Sequence, residues 1–259
     1  MKTVLSIAGS DPSGGAGIQA DIKTISAFGV FAMAVVSALT AQNTLGVQGI
    51  FCVPADFLKM QIRSVVCDIL PDATKIGLLP SAQSVCAVAD CVREFSLKNV
   101  VVDTVFASTS GAEFSSSESI LLLKKNLLPL SILATPNIGE AEIISNRKIF
   151  DKNDIESAAK TIFDECGCAV LVKGGHFSSG ADDFLFDGKN ARWFLGERIE
   201  NPNTHGTGCT LSSAICANLA LGRGLFESVE NAKSYLSSAI SARLKLGHGR
   251  GPLNHFWNK

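Results

Sequence analysis

Val100-Val101-Val102-Asp103 is an unbroken apolar run that ends in a carboxylate. Three β-branched residues without polar alternation describe a strand covered on both faces, which is the habit of parallel sheets. The same pattern returns at Ala169–Lys173, where four apolar residues end in a lysine. Outward from these runs, the spacing predicts strands over Thr3–Ala8, Phe31–Ala38, Ala73–Ile76 and Ser131–Ala134. Between them it predicts helices over Ala16–Phe28, Pro54–Cys67, Ser81–Phe95, Ser116–Leu127, Glu140–Ile144 and Asp154–Cys166. Pro54 and Asp56 are typical helix openers. Asp182–Phe186 and Ala191–Leu195 flank Asp187-Gly188-Lys189-Asn190 and read as a β-hairpin, and helices over Thr207–Leu221 and Leu225–Leu246 close the chain. The expected fold class is therefore α/β: a three-layer αβα arrangement with a central, mostly parallel sheet and helices on both faces. No linker, repeat or low-complexity tract interrupts the pattern, so residues 1–259 are expected to form a single domain.

The chain has 259 residues, 46% of them hydrophobic, enough for one large core. A formal net charge of −1 without blocks of like charge argues against a nucleic-acid or membrane-surface partner. No apolar run reaches the roughly 20 residues of a membrane span. The opening Met1–Ala8 resembles the start of a signal peptide, but Gly9 and Asp11 interrupt it, and a buried first strand is the better reading. The eight cysteines include no C-x-x-C pair and no zinc spacing. Most lie in apolar stretches, where a free thiol behaves as a small hydrophobe, so a reduced, cytoplasmic protein is expected.

Ligands of open α/β sheets bind beyond the carboxyl ends of the strands. Those ends carry Gly9-Ser10-Asp11, Gln42-Asn43-Thr44, Gly77-Leu78-Leu79, Asp103, Asn137 with Glu140, and Lys173-Gly174-Gly175-His176. The first loop, Gly9 to Gly17, lacks the lysine of a P-loop and the spacing of G-x-G-x-x-G. Its glycines let backbone approach a flat ligand, and Asp21 one turn later is placed to accept hydrogen bonds from it, unless it only complements the helix dipole. Asp103 suits Mg²⁺, which prefers one or two carboxylates with waters and phosphate oxygens. Asn137 and Glu140 at a helix start suit metal-bound water, with a plain helix-terminal acid as the simpler reading of Glu140. Lys173 is placed to reach a polyphosphate, and His176 and His205 flank the same region. His248 and His255 read as surface or core-edge residues. The segment Asn203-Thr204-His205-Gly206-Thr207-Gly208-Cys209-Thr210 opens an apolar helix. Its glycines and the helix dipole make an anion cradle, and a helix N-terminus lowers a thiol pKa, so Cys209 is expected to supply a thiolate near neutral pH. An anion cradle holding a thiol suggests phosphoryl transfer to a small alcohol. A cysteine-dependent hydrolase, with Cys209 paired to His205 or His176, is the alternative from a different class.

At these residues the chain resembles the ribokinase-like superfamily, and within it the hydroxymethylpyrimidine/phosphomethylpyrimidine kinases of thiamine biosynthesis. The matching segments are Ala8–Thr24, Ala38–Thr44, Lys75–Gly77, Thr135–Ala141, Val172–His176, Asn203–Thr210 and Gly249–Pro252, in order along nearly the whole chain. The resemblance implies a ribokinase-like fold and a homodimer. It also implies a kinase that phosphorylates 4-amino-5-hydroxymethyl-2-methylpyrimidine and then its monophosphate with Mg²⁺ and ATP. It places Gln42 and Asp21 in hydrogen bonds to the aminopyrimidine, with Ala16 and Leu78 packed on the ring. Cys209 stands where most of the superfamily has an aspartate base. Gly206, Thr207, Gly208 and Cys209 then stabilise the transferring phosphoryl group, Lys173, Thr207, Gly208 and His205 serve ATP, and Asp103, Asn137 and Glu140 serve magnesium. Departures are Asp103-Thr104-Val105-Phe106 for the usual Asp-Pro-Val-Met, Thr109 for a lysine in Ser108-Thr109-Ser110-Gly111, and Leu78 for methionine. The nearest competing member is a pyridoxine/pyridoxal kinase, and Ala41-Gln42-Asn43-Thr44 favours the pyrimidine.

Overall fold

A computed structural model describes residues 1–107, 114–174 and 180–257. The sequence alternation produces strands β1 (Thr3–Ser10), β2 (Phe31–Asn43), β3 (Gly46–Cys52), β4 (Ala73–Ile76), β5 (Val100–Val102), β6 (Leu133–Ala134), β7 (Ala169–Lys173), β8 (Asp183–Phe186) and β9 (Ala191–Phe194). They form one sheet in the order β3-β2-β1-β4-β5-β6-β7-β8-β9. The pairings from β2 through β7 are parallel, and β3, β8 and β9 add antiparallel edges. The expected α/β class and three-layer architecture are what the chain adopts.

Period-2 alternation of the strand side chains feeds two separate cores. Leu5, Ile7, Val100, Val102, Val170 and Val172 face one layer, and Val4, Val101 and Leu171 face the other. The first layer holds α2 (Ala55–Val66), α3 (Ala82–Glu94), α4 (Ser117–Leu122), α5 (Ile138–Ser145) and α6 (Lys152–Cys166). The second holds α1 (Gly17–Ala27), α7 (Thr207–Ala220) and α8 (Leu225–Ser241). Every residue of α7 from Thr210 to Ala220 is buried, because this helix lies between the sheet and α1 and α8. Its small residues permit that close approach.

Three boundaries depart from expectation. The Gln42-Asn43-Thr44 segment was expected as a strand-end loop, yet β2 continues through Asn43 and turns into β3, a strand the sequence reading omits. The two pair antiparallel from Ala38–Cys52 to Asn43–Gly46, so Gln42 sits on a hairpin at the sheet edge. Beyond Leu122 the α4 helix becomes a π turn over Leu123–Leu127. α8 ends at Ser241 rather than Leu246; Arg243 takes φ +43°, and Asn201 and Asn203 side chains bond the carbonyls of Ile240 and Leu244. Capture of those carbonyls by asparagines replaces the next helical turn.

Candidate active site

A cleft of about 1570 Å³ opens at the carboxyl ends of the parallel strands, lined among others by Ala16, Gln42, Leu78, Asp103, Lys173 and Gly206 to Cys209. Its centre is the first turn of α7. Gly206 caps that helix in the left-handed region at φ +85°, and a Cβ there would lie 1.9 Å from the Gly15 carbonyl oxygen. Only glycine fits, which is why the loop after β1 and the start of α7 can touch. Thr207 N–H donates to Thr204 O, whereas the N–H groups of Gly208 and Cys209 take no partner among the described residues. Two unpaired donors at the positive end of a helix are an anion site.

Beside this turn, Lys173 Nζ donates to Asp103 Oδ1 at 2.9 Å. Thr135 and Ser212 hydroxyls also donate to Asp103, at 3.2 and 3.3 Å. Burial works against the Asp103 charge, but Lys173 and Lys75 outweigh it and hold the carboxyl below its ordinary range. Burial likewise opposes the Lys173 charge, and Asp103 and Glu140 overcome it, raising its pKa. The pair is thus ionised and faces the cleft. A Cβ on Gly208 would stand 3.5 Å from both Asp103 Oδ2 and Lys173 Nζ, so the unpaired donors and the pair share one small volume.

Asn137 and Glu140 form a capping box at the start of α5: Glu140 N–H donates to Asn137 Oδ1, and Asn137 N–H to Glu140 Oε2. Thr104 donates to the same Glu140 oxygen at 3.1 Å. Glu140 thus caps the start of α5 through Oε2, and Asn137 spends its amide oxygen on the same cap. Glu140 Oε1 takes no hydrogen bond among the described residues, and burial raises the pKa of this carboxyl. Among the described residues no three His, Cys, Asp or Glu side chains cluster as a metal cage.

On the other flank, Asp11 organises the first loop. Its carboxylate accepts from Ser13 N–H and hydroxyl, from Gly15 and Ala16 N–H, and lies 2.8 Å from His205 Nε2. Burial opposes its charge, and His205 with Ser13 holds its pKa low nonetheless. Gln42 Nε2 lies 3.2 Å from His205 Nε2, and Thr40 donates to Gln42 Oε1. His205, expected on the ATP side, is therefore tied through Asp11 into the loop that carries Ala16, with the Gln42 amide beside it. Sequence reading passed over Asp11 as a site residue, although an aspartate followed by Pro-Ser-Gly-Gly is a strong loop-capping signal.

Two expectations are corrected. Asp21 does not line the cleft. It is fully buried beneath it and accepts from Lys75 Nζ at 2.9 Å to each oxygen, from Ser6 at 2.6 Å and from Ser213 at 2.7 Å. Its lone pairs are spent inside the protein, so none is left for a ligand. Cys209 lines the cleft as expected, but burial pushes its thiol up to about 11, against the smaller pull of Lys75 in the other direction. Desolvation of the thiolate overrides the helix terminus, and at neutral pH the side chain is a thiol. Of the two partners in the hydrolase reading, His205 shows no hydrogen bond to Cys209 among the described residues and bonds Asp11 through Nε2 instead. His176, Gly175 and the Ser108-Thr109-Ser110-Gly111 segment lie outside the described residues. Of the tail histidines, His248 is exposed, whereas His255 is buried with Nε2 3.1 Å from Thr210 Oγ1.

The phosphomethylpyrimidine kinase family profile matches residues 11–254. The hydroxymethylpyrimidine/phosphomethylpyrimidine kinase of Rhizobium meliloti (strain 1021) is 46% identical over 97% of this chain and 96% of its own length. Among solved structures, phosphomethylpyrimidine kinase from Clostridium difficile 630 superposes with a TM-score of 0.83 at 40% identity, covering 93% of this chain and 100% of that one. The Staphylococcus aureus pyridoxal kinase in complex with AMP-PCP and pyridoxal gives a TM-score of 0.90 at 30% identity, over 98% and 94% of the two chains. Fold, cleft position and near-full-length identity agree, and the chain belongs to the phosphomethylpyrimidine kinase family.

Proposed function

We propose that this enzyme transfers the γ-phosphoryl group of ATP to the hydroxymethyl oxygen of 4-amino-5-hydroxymethyl-2-methylpyrimidine, and then phosphorylates the monophosphate, in thiamine biosynthesis. The observation that carries the reading is the first turn of α7, where the unpaired N–H groups of Gly208 and Cys209 adjoin the ionised Lys173–Asp103 pair. In the transfer the hydroxymethyl oxygen bonds to the γ-phosphorus, the bond to the ADP oxygen breaks, and the hydroxyl proton is released. Little covalent work falls to the protein; positioning and charge neutralisation carry the rate. Gly206, Thr207, Gly208 and Cys209 cradle the transferring group, and Lys173 neutralises phosphate charge. Ala16, Gln42 and Leu78 face the aminopyrimidine, with His205 donating from Nε2 to Asp11 and so holding the first loop. The Cys209 thiol, protonated at neutral pH, orients the hydroxymethyl oxygen rather than acting as a standing thiolate.

Magnesium fits this donor set. Asp103 and the uncommitted Glu140 Oε1 offer one or two carboxylates on the cleft edge, which suits an ion completed by waters and phosphate oxygens rather than caged by protein. When bound there it supplies charge neutralisation at the phosphates; Asn137 acts by holding Glu140 in its cap. A homodimer is supported by the apolar sheet edge: Phe51 is 65% exposed on edge strand β3 and stands opposite Leu39 on β2, itself 50% exposed. An edge strand with that much apolar surface is ordinarily covered. Among the described residues no helix is long and apolar enough to cross a membrane; cytoplasmic residence rests on the reduced cysteines expected there.

Incubation with ATP, Mg²⁺ and either the pyrimidine or pyridoxal, followed by mass spectrometry, tests the reading. The expected products are the pyrimidine carrying one and then two phosphates, with no phosphocysteine on the protein. Phosphorylation of pyridoxal alone would favour the competing vitamin kinase, and cysteine-dependent hydrolysis without ATP would overturn both. Identity of 46% to the pyrimidine kinase, against 30% to the pyridoxal kinase, supports the first outcome.

A further inference from the structure

Lys75 is an anomaly of β4. It is a lysine inside a four-residue strand with every residue buried, its side chain fully enclosed, and its carboxylate partner Asp21 equally enclosed. Such a pair seldom adds stability over apolar residues of like size, because two charges are taken out of water. Three features of its placement point to the thiol. First, Asp21 passes the contact to α7 by accepting from the Ser213 hydroxyl, and Ser213 is four residues beyond Cys209. Positions i and i+4 share a helix face, so Cys209 stands one turn above the Ser213–Asp21–Lys75 cluster. Second, Gly77 leaves the ammonium room to rise towards the cleft floor. A Cβ on Gly77 would meet Lys75 Nζ at 2.8 Å and Ala8 Cβ at 2.9 Å, and Ala8 lines the cleft. Third, Ser6 from β1 closes the last lone pair of Asp21, so β1, β4, α1 and α7 are pinned at one point.

We propose that Lys75, through Asp21 and Ser213, is a positioning residue for Cys209, seating the first turn of α7 and setting the field at its thiol. The charged groups that act on this sulfur come from four elements or their ends: Lys75 on β4, Asp21 on α1, Asp103 beyond β5 and Lys173 on β7, with the Gly17 N–H donating towards it. Lys75 is the largest favourable influence on the thiolate, and Asp21 opposes it. The pair therefore does more than fill space below the site: its positive end favours negative charge at sulfur while its negative end holds the helix. The kinetic arm of the test rests on the kinase reading; the chemical arm does not.

The variants are Ser213→Ala, Lys75→Met and the double Lys75→Met/Asp21→Asn, each checked for folding by circular dichroism. Iodoacetamide labelling of Cys209, followed by peptide mass spectrometry from pH 7 to 10, reads the field at the thiol. Folded Lys75→Met is expected to label on the order of tenfold more slowly at pH 9, the effect of one pKa unit, and the double variant to recover part of that loss. Ser213→Ala is expected to lower kcat about tenfold with KM for the pyrimidine nearly unchanged. A wild-type labelling profile in folded Lys75→Met, or a raised KM with kcat intact in Ser213→Ala, overturns the proposal. If Lys75→Met does not fold, Ser213→Ala decides: an unchanged labelling profile together with unchanged kcat overturns it. Absence of phosphorylation by the wild type would instead remove the kinase reading and leave the labelling result standing.

Discussion

Two lysine–carboxylate pairs flank the first turn of α7, and they differ in what lies above them. Lys75–Asp21 is sealed on all sides, with side-chain exposures of 0% and 0%, and serine hydroxyls take the remaining Asp21 lone pairs. Lys173–Asp103 has the same 2.9 Å contact, but Lys173 keeps 17% exposure and both residues line the cleft. Lys75 sits inside β4 with Asp21 on α1, whereas Lys173 and Asp103 stand at strand ends. That difference in depth separates a pair whose every partner is protein from one left open to a ligand. The general lesson is that the carboxyl edge of an α/β sheet matters because side chains there lose their last protein partner.

The sharpest way to break this contrast is Lys75→Met, which leaves Asp21 buried and unpaired. Urea unfolding is expected to show a loss of about 3–5 kcal/mol, the usual result of removing one partner of an enclosed pair. Lys173→Met should divide the other way. It is expected to lower kcat on the order of 10²–10³-fold, the cost of losing one transition-state charge donor, with a smaller change in unfolding free energy than Lys75→Met. Equal stability losses in the two variants would erase the distinction.

His255 tests whether α7 has a pH dependence apart from either pair. Burial lowers its pKa from 6.5 to about 4, so the unfolded chain binds a proton that the folded chain refuses. Stability present above pH 6.5 is therefore lost as the pH falls towards 4, by about 3 kcal/mol over that window. Thermal melts of the wild type and His255→Gln at pH 7 and pH 4 should show the acid loss shrink in the variant. Gly206→Ala comes next, with a left-handed φ and a Cβ driven against Gly15 O; about 1–3 kcal/mol of strain is expected, read as a lowered Tm. The exposed Lys59–Asp90 pair sets the lower bound. Lys59→Ala should change the unfolding free energy by less than about 1 kcal/mol, as ordinary surface pairs do.

The same contrast explains what the sequence disclosed. Apolar runs such as Val100–Val102 and the charges that end them made the sheet and its functional edge legible, because burial on both faces leaves no polar alternation. The loop motifs made the family and the kinase activity legible. Asp21 was misjudged for a physical reason: a carboxylate one turn into a helix looks alike whether its partner is a ligand or a lysine that is distant in sequence. Lys75 carried its own signal, a lysine in an apolar strand, yet its significance depends on Asp21, 54 residues earlier, and on Ser213 of α7. The thiolate expected at Cys209 was misjudged for another reason. The helix terminus is a local property of sequence, but the burial that overrides it comes from the whole fold. The β2–β3 hairpin was missed because β2 runs on through residues that look like a loop.

That hairpin has a consequence for how the molecule is made. Thr44 at its turn accepts from Arg250 N–H and from Gly249 N–H, and Gly247 and Gly249 lie so close to Thr44 that neither could carry a Cβ. Gly251 in turn joins the tail to Asn203 and His205. Thr44 leaves the ribosome about 200 residues before these partners, which at roughly 5–20 residues per second is a wait of ten seconds or more. The core sheet can gather during that interval, while the wall carrying Gln42 is fastened only when the tail arrives, so the nascent chain acquires its fold before its binding competence.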